Sequence, residues 1–157
     1  MTLRTTTHDA TETYALGQRI GTLLYPGDVV VLDGELGTGK TVLAKGIAAA
    51  LGVAEPVVSP TFTVVHEYEA PIPFVHVDVY RLDRLQELHD LGFDDLVGGD
   101  AVTVVEWGDR VSAALPADRL RVQLEPGEAD DDRVVSVEAS GASWGRRHDA
   151  LVAAVDG

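Results

Sequence analysis

The chain has 157 residues, no cysteine, and a formal net charge of −14 from 26 acidic and 12 Lys or Arg side chains. An apolar content of 45% is typical of a globular protein and argues against disorder. Without thiols the chain forms no disulfide and no thiolate zinc site, and its acidity disfavours broad electrostatic binding of nucleic acid. There is no apolar run of about 18 residues and no signal-peptide pattern, so we expect one cytoplasmic domain over residues 1–157, without membrane contact.

The predicted elements alternate between helix and strand, which favours an α/β fold. Helices are predicted from apolar residues at helical spacing, and strands from β-branched runs or alternating polarity. In chain order they are a helix at 9–24, a strand at 29–32, a helix at 42–51, strands at 57–69 and 74–80, a helix at 82–91, a strand at 101–105, strands at 119–124 and 133–139, and a terminal helix at 144–155. Thr7 and Asp9 are the candidate caps of the first helix. We predict a mixed sheet flanked by helices, with a C-terminal antiparallel hairpin across an acidic loop at 125–132.

The segment at residues 34–41, GELGTGKT, fits the phosphate-binding pattern G-x-x-x-x-G-K-[ST]. Its glycines allow successive backbone N–H groups to turn toward a phosphate, in conformations that a β-carbon resists. Lys40 supplies a cation for the β- and γ-phosphates, and the hydroxyl of Thr41 is a ligand for Mg²⁺. The helix that follows directs its positive end at the anion. The segment therefore predicts a P-loop, the site of a nucleoside triphosphate.

Two acidic residues at the ends of apolar strands are candidates for serving the metal that such a site needs. Asp78 follows the apolar run at 74–77, and Glu106 follows the run at 101–105. A carboxylate in this position ligates Mg²⁺ or orients the attacking water, and the spacing leaves open which acid does which. His76 with Asp78 is also compatible with a metal pair. Without further His or Cys ligands nearby, however, a histidine on a strand is more often structural.

The type of nucleotide and the class of reaction are less strongly indicated. The chain has two lysines, Lys40 and Lys45, and neither belongs to the Asn/Thr-Lys-x-Asp element that reads guanine, which favours ATP. Arg81 and Arg84 are compatible with the lid of a small-molecule kinase or with pairing to surface acids. An ATP hydrolase, a small-molecule kinase and a non-hydrolysing module switched by ATP all stay open on these residues.

Four motifs together resemble the TsaE family of bacterial tRNA-modification ATPases. They are GELGTGKT at 34–41, SPTFT at 59–63, HVDVYRL at 76–82 and EW at 106–107. The resemblance extends over roughly residues 8–125 and fades beyond. It implies an ATPase, weak alone, that is required for threonylcarbamoyl-adenosine (t6A) at position 37 of tRNAs reading codons that begin with A. It also implies action on the TsaB–TsaD transferase complex, with tRNA handled mainly by the partners.

The same resemblance implies a role for each matching residue. Phosphate contacts fall on Leu36, Gly37, Thr38, Gly39, Lys40 and Thr41. By the same resemblance, Thr41 and Glu106 ligate Mg²⁺. Hydrolysis requires Asp78 together with Lys40 and Glu106. The backbone near Asp9 or Ala10 contacts adenine, and Arg133 corresponds to a late nucleotide-contacting arginine. The SPTFT segment resembles a switch loop at the γ-phosphate, and Trp107 is either near the nucleotide or partner surface or an ordinary core aromatic.

Overall fold

A computed structural model describes residues 2–35, 37–57, 65–78, 99–106 and 115–157. Within these ranges the strands are β1 (Thr2–Thr7), β2 (Val29–Asp33), β3 (Val65–Tyr68), β4 (Phe74–Asp78), β5 (Val102–Glu106), β6 (Arg119–Pro126) and β7 (Arg133–Ser140). The helices are α1 (Ala10–Gly21), α2 (Lys40–Leu51), α3 (Ala142–Arg146) and α4 (His148–Asp156). None of these helices is long and apolar enough to cross a bilayer. The predicted helix at 82–91, Leu36, the SPTFT segment and Trp107 lie outside the described residues.

The seven described strands form one mixed sheet in the order β1-β7-β6-β2-β5-β4-β3. Its centre is parallel, because β2 pairs in parallel with both β5 and β6, and β4 pairs in parallel with β5. The predominantly apolar strands β2, β4 and β5 are buried along their whole length, as strands covered on both faces must be. In β6 half-buried and buried residues alternate, and β6 pairs antiparallel with β7. The predicted mixed sheet and C-terminal hairpin are thus confirmed.

Helices α1 and α2 pack so closely that glycines are required at their contact. A β-carbon on Gly17 would lie 2.3 Å from the carbonyl oxygen of Leu43, and one on Gly46 would lie 2.1 Å from that of Tyr14. Leucine and isoleucine side chains from both helices join strand residues in one buried cluster. The packing sets the start of α1 beside the start of α2, which is where the glycine-rich loop ends.

The structure corrects the sequence prediction at both termini. Strand β1 was not predicted, because its polar residues lack an apolar pattern; it forms as an edge strand on β7. Helix α1 is capped by Asp9, whose carboxylate accepts from the backbone N–H of Glu12 at 2.8 Å, and it ends at Gly21 rather than at residue 24. The predicted terminal helix is two helices, interrupted at Arg147. The guanidinium of Arg147 reaches Asp28 at 2.6 Å and stacks on Trp144, which no local pattern encodes.

Candidate functional site

Three carboxylates lie at the ends of the central parallel strands. Asp33 is the last residue of β2, Glu106 of β5 and Asp78 of β4. Asp78 pairs directly with Glu106 across β4 and β5, and Leu32, adjacent to Asp33, pairs with Glu106 across β2 and β5. All three acids are buried. We call Asp33, Asp78 and Glu106 the strand-end acids.

The glycine-rich loop, residues 34–41, leaves the sheet directly after Asp33 and runs into α2. Gly34 has φ +148°, and a β-carbon there would lie 2.7 Å from both the carbonyl oxygen of Leu124 and Oγ1 of Thr38. Thr38 Oγ1 donates to the carbonyl of Glu35 at 2.7 Å, which closes the loop on itself. Gly39 precedes α2 with φ +97° and offers no capping side chain. The N-cap residue of α2 therefore supplies no side-chain acceptor to the N–H groups of the first turn, a geometry that suits an anion.

Lys40 is the first residue of α2, and its side chain is buried within the loop. Its ammonium donates to the carbonyl of Gly34 at 2.5 Å. Burial lowers the pKa of Lys40, while the charges of Glu106, Asp78 and Asp33 act to raise it. The ammonium of Lys40 therefore interacts electrostatically with all three strand-end acids. The site thus combines a desolvated cation with a cluster of carboxylates at the start of a helix.

Asp33 is a candidate that the sequence prediction omitted. Its Oδ2 accepts from Nε of Arg121 at 2.7 Å, so β6 contributes a cation to the same region. The signal that would have found Asp33 is the one that identified Asp78 and Glu106, namely an acid at the end of an apolar strand. Its place immediately before the glycine-rich loop is visible in the sequence as well.

His76 lies two residues before Asp78 on β4, and its side chain contacts that of Glu106. Its Nε2 is 2.5 Å from Oε2 of Glu106, and the two side chains are 0% and 4% exposed. The sequence prediction treated His76 as structural or as half of a metal pair, and did not foresee this contact. Among the described residues, no three His, Cys, Asp or Glu side chains are grouped to hold a metal ion by themselves.

A cleft of about 170 Å³ lies beside the glycine-rich loop. The start of α1, the loop with the first turn of α2, and the end of the β6–β7 connection contribute its walls. The lining residues are Asp9, Ala10, Thr13, Gly37, Thr38, Gly39, Val42, Asp131 and Arg133. The cleft is therefore bounded by α1, the glycine-rich loop and the start of β7.

Arg133 ties the β6–β7 connection to the glycine-rich loop. Its Nε donates to the carbonyl of Thr38 at 3.1 Å and its Nη2 to that of Gly37 at 3.3 Å. Its Nη1 donates to the carbonyls of Asp130 and Asp132, both at 2.8 Å. One guanidinium thus holds two loops together at the mouth of the cleft.

The structure divides the predicted site residues into two adjoining groups. Ala10, Gly37, Thr38, Gly39 and Arg133 line the cleft. Lys40, Asp78 and Glu106 lie together at the strand ends. Thr41, half-buried, is the second residue of α2 and follows Lys40 directly. The roles assigned to these residues stay predictions, and that of Leu36 falls outside the described residues.

The chain matches the family model described as threonylcarbamoyl adenosine biosynthesis protein TsaE over residues 7–135. The match runs through the glycine-rich loop, all three strand-end acids and Arg133, and so extends beyond the limit near residue 125 expected from the motifs.

Curated relatives and a solved structure agree with that match. Proteins named tRNA threonylcarbamoyladenosine biosynthesis protein TsaE are 47% identical in Mycobacterium tuberculosis, over 86% of this chain and 83% of that protein, and 40% identical in Treponema pallidum, over 86% and 99%. The crystal structure of Bacillus subtilis YdiB is similar with a TM-score of 0.83 and 33% identity, covering 96% of this chain and 94% of the other.

Proposed function

We propose that this chain, which belongs to the TsaE family of threonylcarbamoyl adenosine biosynthesis proteins, binds and hydrolyses ATP in support of tRNA modification. The observation that carries the proposal is the position of Lys40. A buried ammonium at the start of a helix, within a glycine-rich loop and beside three buried carboxylates, is suited to a polyphosphate with a divalent cation. We expect hydrolysis to be slow in the isolated chain.

In this proposal Lys40 holds the β- and γ-phosphates. Its ammonium donates to the carbonyl of Gly34. Burial has removed much of its hydration, so a charged phosphate oxygen is a stronger acceptor than that carbonyl. The backbone N–H groups after Gly37 and Gly39, both at positive φ, add neutral donors around the same phosphates.

The donor set of the site fits Mg²⁺. Proteins bind this ion through one or two carboxylates together with the phosphates of the substrate, and rarely through a cage of protein ligands alone. In our proposal Thr41 and Glu106 hold the ion, and Asp78 orients the attacking water. When bound, Mg²⁺ neutralises charge on the β- and γ-phosphates and stabilises the charge that develops during transfer.

The cleft beside the loop takes the nucleoside in our proposal. The backbone at Ala10 contacts adenine, and Arg133 lies near the sugar and the first phosphate. The support is the position of both residues on one cleft that is continuous with Gly37 to Gly39.

We propose that hydrolysis serves a transferase complex of TsaB and TsaD, in the cytoplasm, for t6A at position 37 of tRNA. The role in threonylcarbamoyladenosine biosynthesis follows from the family. The partnership is supported by the charge of the chain. With −14 overall, this protein is a poor platform for tRNA, and a partner with a cationic surface is needed to hold the polyanion.

The test reconstitutes t6A formation on a tRNA transcript with purified TsaB and TsaD, over many turnovers, with and without this chain. We expect sustained modification only with the chain and ATP. Lys40→Ala should abolish the stimulation, and the matched control is Lys45→Ala, the other lysine of α2, which is exposed. Unchanged modification in the absence of the chain would contradict the proposed function.

The same reactions separate the two alternative classes. With labelled ATP and a metabolite extract, label in a metabolite rather than in free phosphate indicates a small-molecule kinase. Tight ATP binding without phosphate release, even with TsaB and TsaD present, indicates a binding switch.

A further inference from the structure

The contact between His76 and Glu106 is a buried polar pairing at the strand-end acids. The imidazole Nε2 lies 2.5 Å from the carboxylate Oε2, and neither side chain has appreciable contact with solvent. The register explains the pairing. Asp78 lies opposite Glu106 across β4 and β5, and His76, two residues earlier on β4, has its side chain on the same face of the sheet.

The second ring nitrogen indicates which atom is the donor. His76 Nδ1 is buried and has no hydrogen-bond partner in the part of the chain that the structure describes. A neutral ring with its hydrogen on Nε2 leaves only a lone pair at Nδ1, whereas a hydrogen at Nδ1 would be a buried donor without an acceptor. His76 therefore donates from Nε2–H to Oε2 of Glu106.

Neighbouring aromatic rings fix the orientation of the imidazole. The ring of Phe74 lies 5.8 Å from that of His76, and the ring of Tyr68 lies 5.6 Å from that of Phe74. His66, the partner of His76 on β3, stacks on Tyr68 at 4.2 Å. A row of packed rings thus leads from the edge strand β3 to Glu106 and leaves His76 little freedom to rotate.

We propose that His76 is a positioning residue for Glu106. By holding Oε2 from within the sheet, it determines that Oε1 is the oxygen directed toward the metal-nucleotide site. This consequence rests on the proposed function, whereas the contact itself does not. The situation is analogous to the hydrogen bonds that orient metal-ligating side chains, whose loss typically weakens metal binding by about 10- to 100-fold.

The test compares substitutions that keep or remove the donor. His76→Gln keeps an N–H donor near the place of Nε2, His76→Asn carries one too short to reach Glu106, and His76→Leu carries none. The matched control is His66→Gln, because His66 is the cross-strand partner of His76 on β3, and β4 separates β3 from the strand of Glu106. Mn²⁺ affinity is measured by electron paramagnetic resonance in the presence of a non-hydrolysable ATP analogue, alongside the thermal midpoint of unfolding.

We expect Leu and Asn at position 76 to weaken Mn²⁺ binding by about tenfold or more, with Gln within about threefold of wild type and His66→Gln unchanged. If the His76→Leu variant does not fold, the comparison of Mn²⁺ affinity between His76→Gln and His76→Asn is the test. Equal Mn²⁺ affinity in the folded Gln and Asn variants, or wild-type affinity in folded Leu, overturns the proposal.

A second readout needs neither nucleotide nor metal. Nitrogen-15 NMR of histidine-labelled protein in mildly alkaline buffer should find His76 with its hydrogen on Nε2, and Glu106→Gln should shift that signal while leaving His66 unmoved. If wild type binds no metal-nucleotide at all, the proposed function fails, and this spectrum alone decides the contact. A hydrogen on Nδ1, or a His76 signal that does not respond to Glu106→Gln, overturns the inference.

Discussion

Two acidic regions flank the glycine-rich loop and differ in nearly every physical respect. The strand-end acids are buried at the carboxyl ends of parallel strands, close to Lys40. The acidic turn, which we define as residues 127–132 between β6 and β7, carries Glu128, Asp130 and Asp131 in solvent and Asp132 half-buried. The first region is positioned by the ladder of the sheet. The second is closed by backbone hydrogen bonds between its own residues and is joined to the rest of the molecule by a few side-chain bonds at its end.

The difference shows that the number of carboxylates says little about the chemistry of a site. A solvated carboxylate is screened by water and salt and interacts weakly with its neighbours. A buried carboxylate has lost that screening, so its interaction with a cation or a phosphate-bound metal is far larger. Most of the acidic side chains that give the chain its net charge of −14 are solvated. We expect only the buried ones to govern ATP chemistry.

The largest effect should come from the strand-end acids themselves. Glu106→Gln should lower ATP hydrolysis by roughly 10²–10³-fold, because it removes a charge that acts in the transition state within a water-poor site. The matched change in the acidic turn, Asp130→Asn, should leave the rate within about twofold, as expected for a solvated charge. Phosphate release at saturating ATP measures both. A similar loss of ATP hydrolysis in the two variants would contradict the expectation that only the buried acids govern the reaction.

The next effect concerns the partner of a strand-end acid. Arg121→Leu removes the guanidinium 2.7 Å from Asp33 and leaves that buried carboxylate with less compensation. We expect a loss of about 1–3 kcal/mol in the free energy of unfolding, read from urea denaturation near neutral pH. Arg119→Leu, at the start of the same strand, serves as the control. No loss in Arg121→Leu would mean that Asp33 does not depend on this partner.

Arg133 joins the two regions, so its removal should have an intermediate effect. Arg133→Ala breaks the bonds to the carbonyls of Thr38 and Gly37 and frees the acidic turn from the loop. Because such charged hydrogen bonds contribute about 1.5–3 kcal/mol each at most, we expect ATP affinity to fall by roughly tenfold. Fluorescence titration with a labelled ATP analogue measures the change. If Arg133→Lys binds the ATP analogue with wild-type affinity, the paired N–H donors of the guanidinium are not required for binding.

The smallest effect should come from the exposed pair that anchors the acidic turn. His8 Nδ1 lies 3.1 Å from Asp132 Oδ1. The hydrogen bond to Asp132, with the charges of Asp132, Glu12 and Asp9, raises the pKa of His8 above its ordinary 6.5. The hydrogen bond from His8 lowers the pKa of Asp132 below its ordinary 3.8.

The stabilisation from His8 is complete below pH 6.5 and is lost as pH rises through the raised pKa of the folded state. That from Asp132 is complete above pH 3.8 and is lost as pH falls through the lowered one. The difference in thermal midpoint between wild type and His8→Gln should therefore peak between these values and shrink toward about pH 9. A difference that stays constant from about pH 5 to pH 9 would contradict the pairing.

Much of the central fold could be predicted because its signals are local. The apolar runs of β2, β4 and β5 indicate strands buried on both faces, and the hairpin of β6 and β7 follows from alternation. Strand β1 escaped prediction because an edge strand with a polar sequence takes its partner from β7, more than a hundred residues away. The break at Arg147 was missed for the same reason, since its cause is the distant Asp28.

The sequence alone determined the family, and it predicted the chemistry of the loop. Motif spacing is read along the chain, and four motifs in order sufficed to indicate the TsaE family, which the comparisons confirm. Only the tertiary structure decided which acids share the burial of Lys40, that Asp33 belongs with them, that Arg133 ties the acidic turn to the loop, and that His76 holds Glu106. These contacts depend on strand register and on the close approach of α1 to α2. Both are set by packing between segments far apart in the chain, and no local pattern records them.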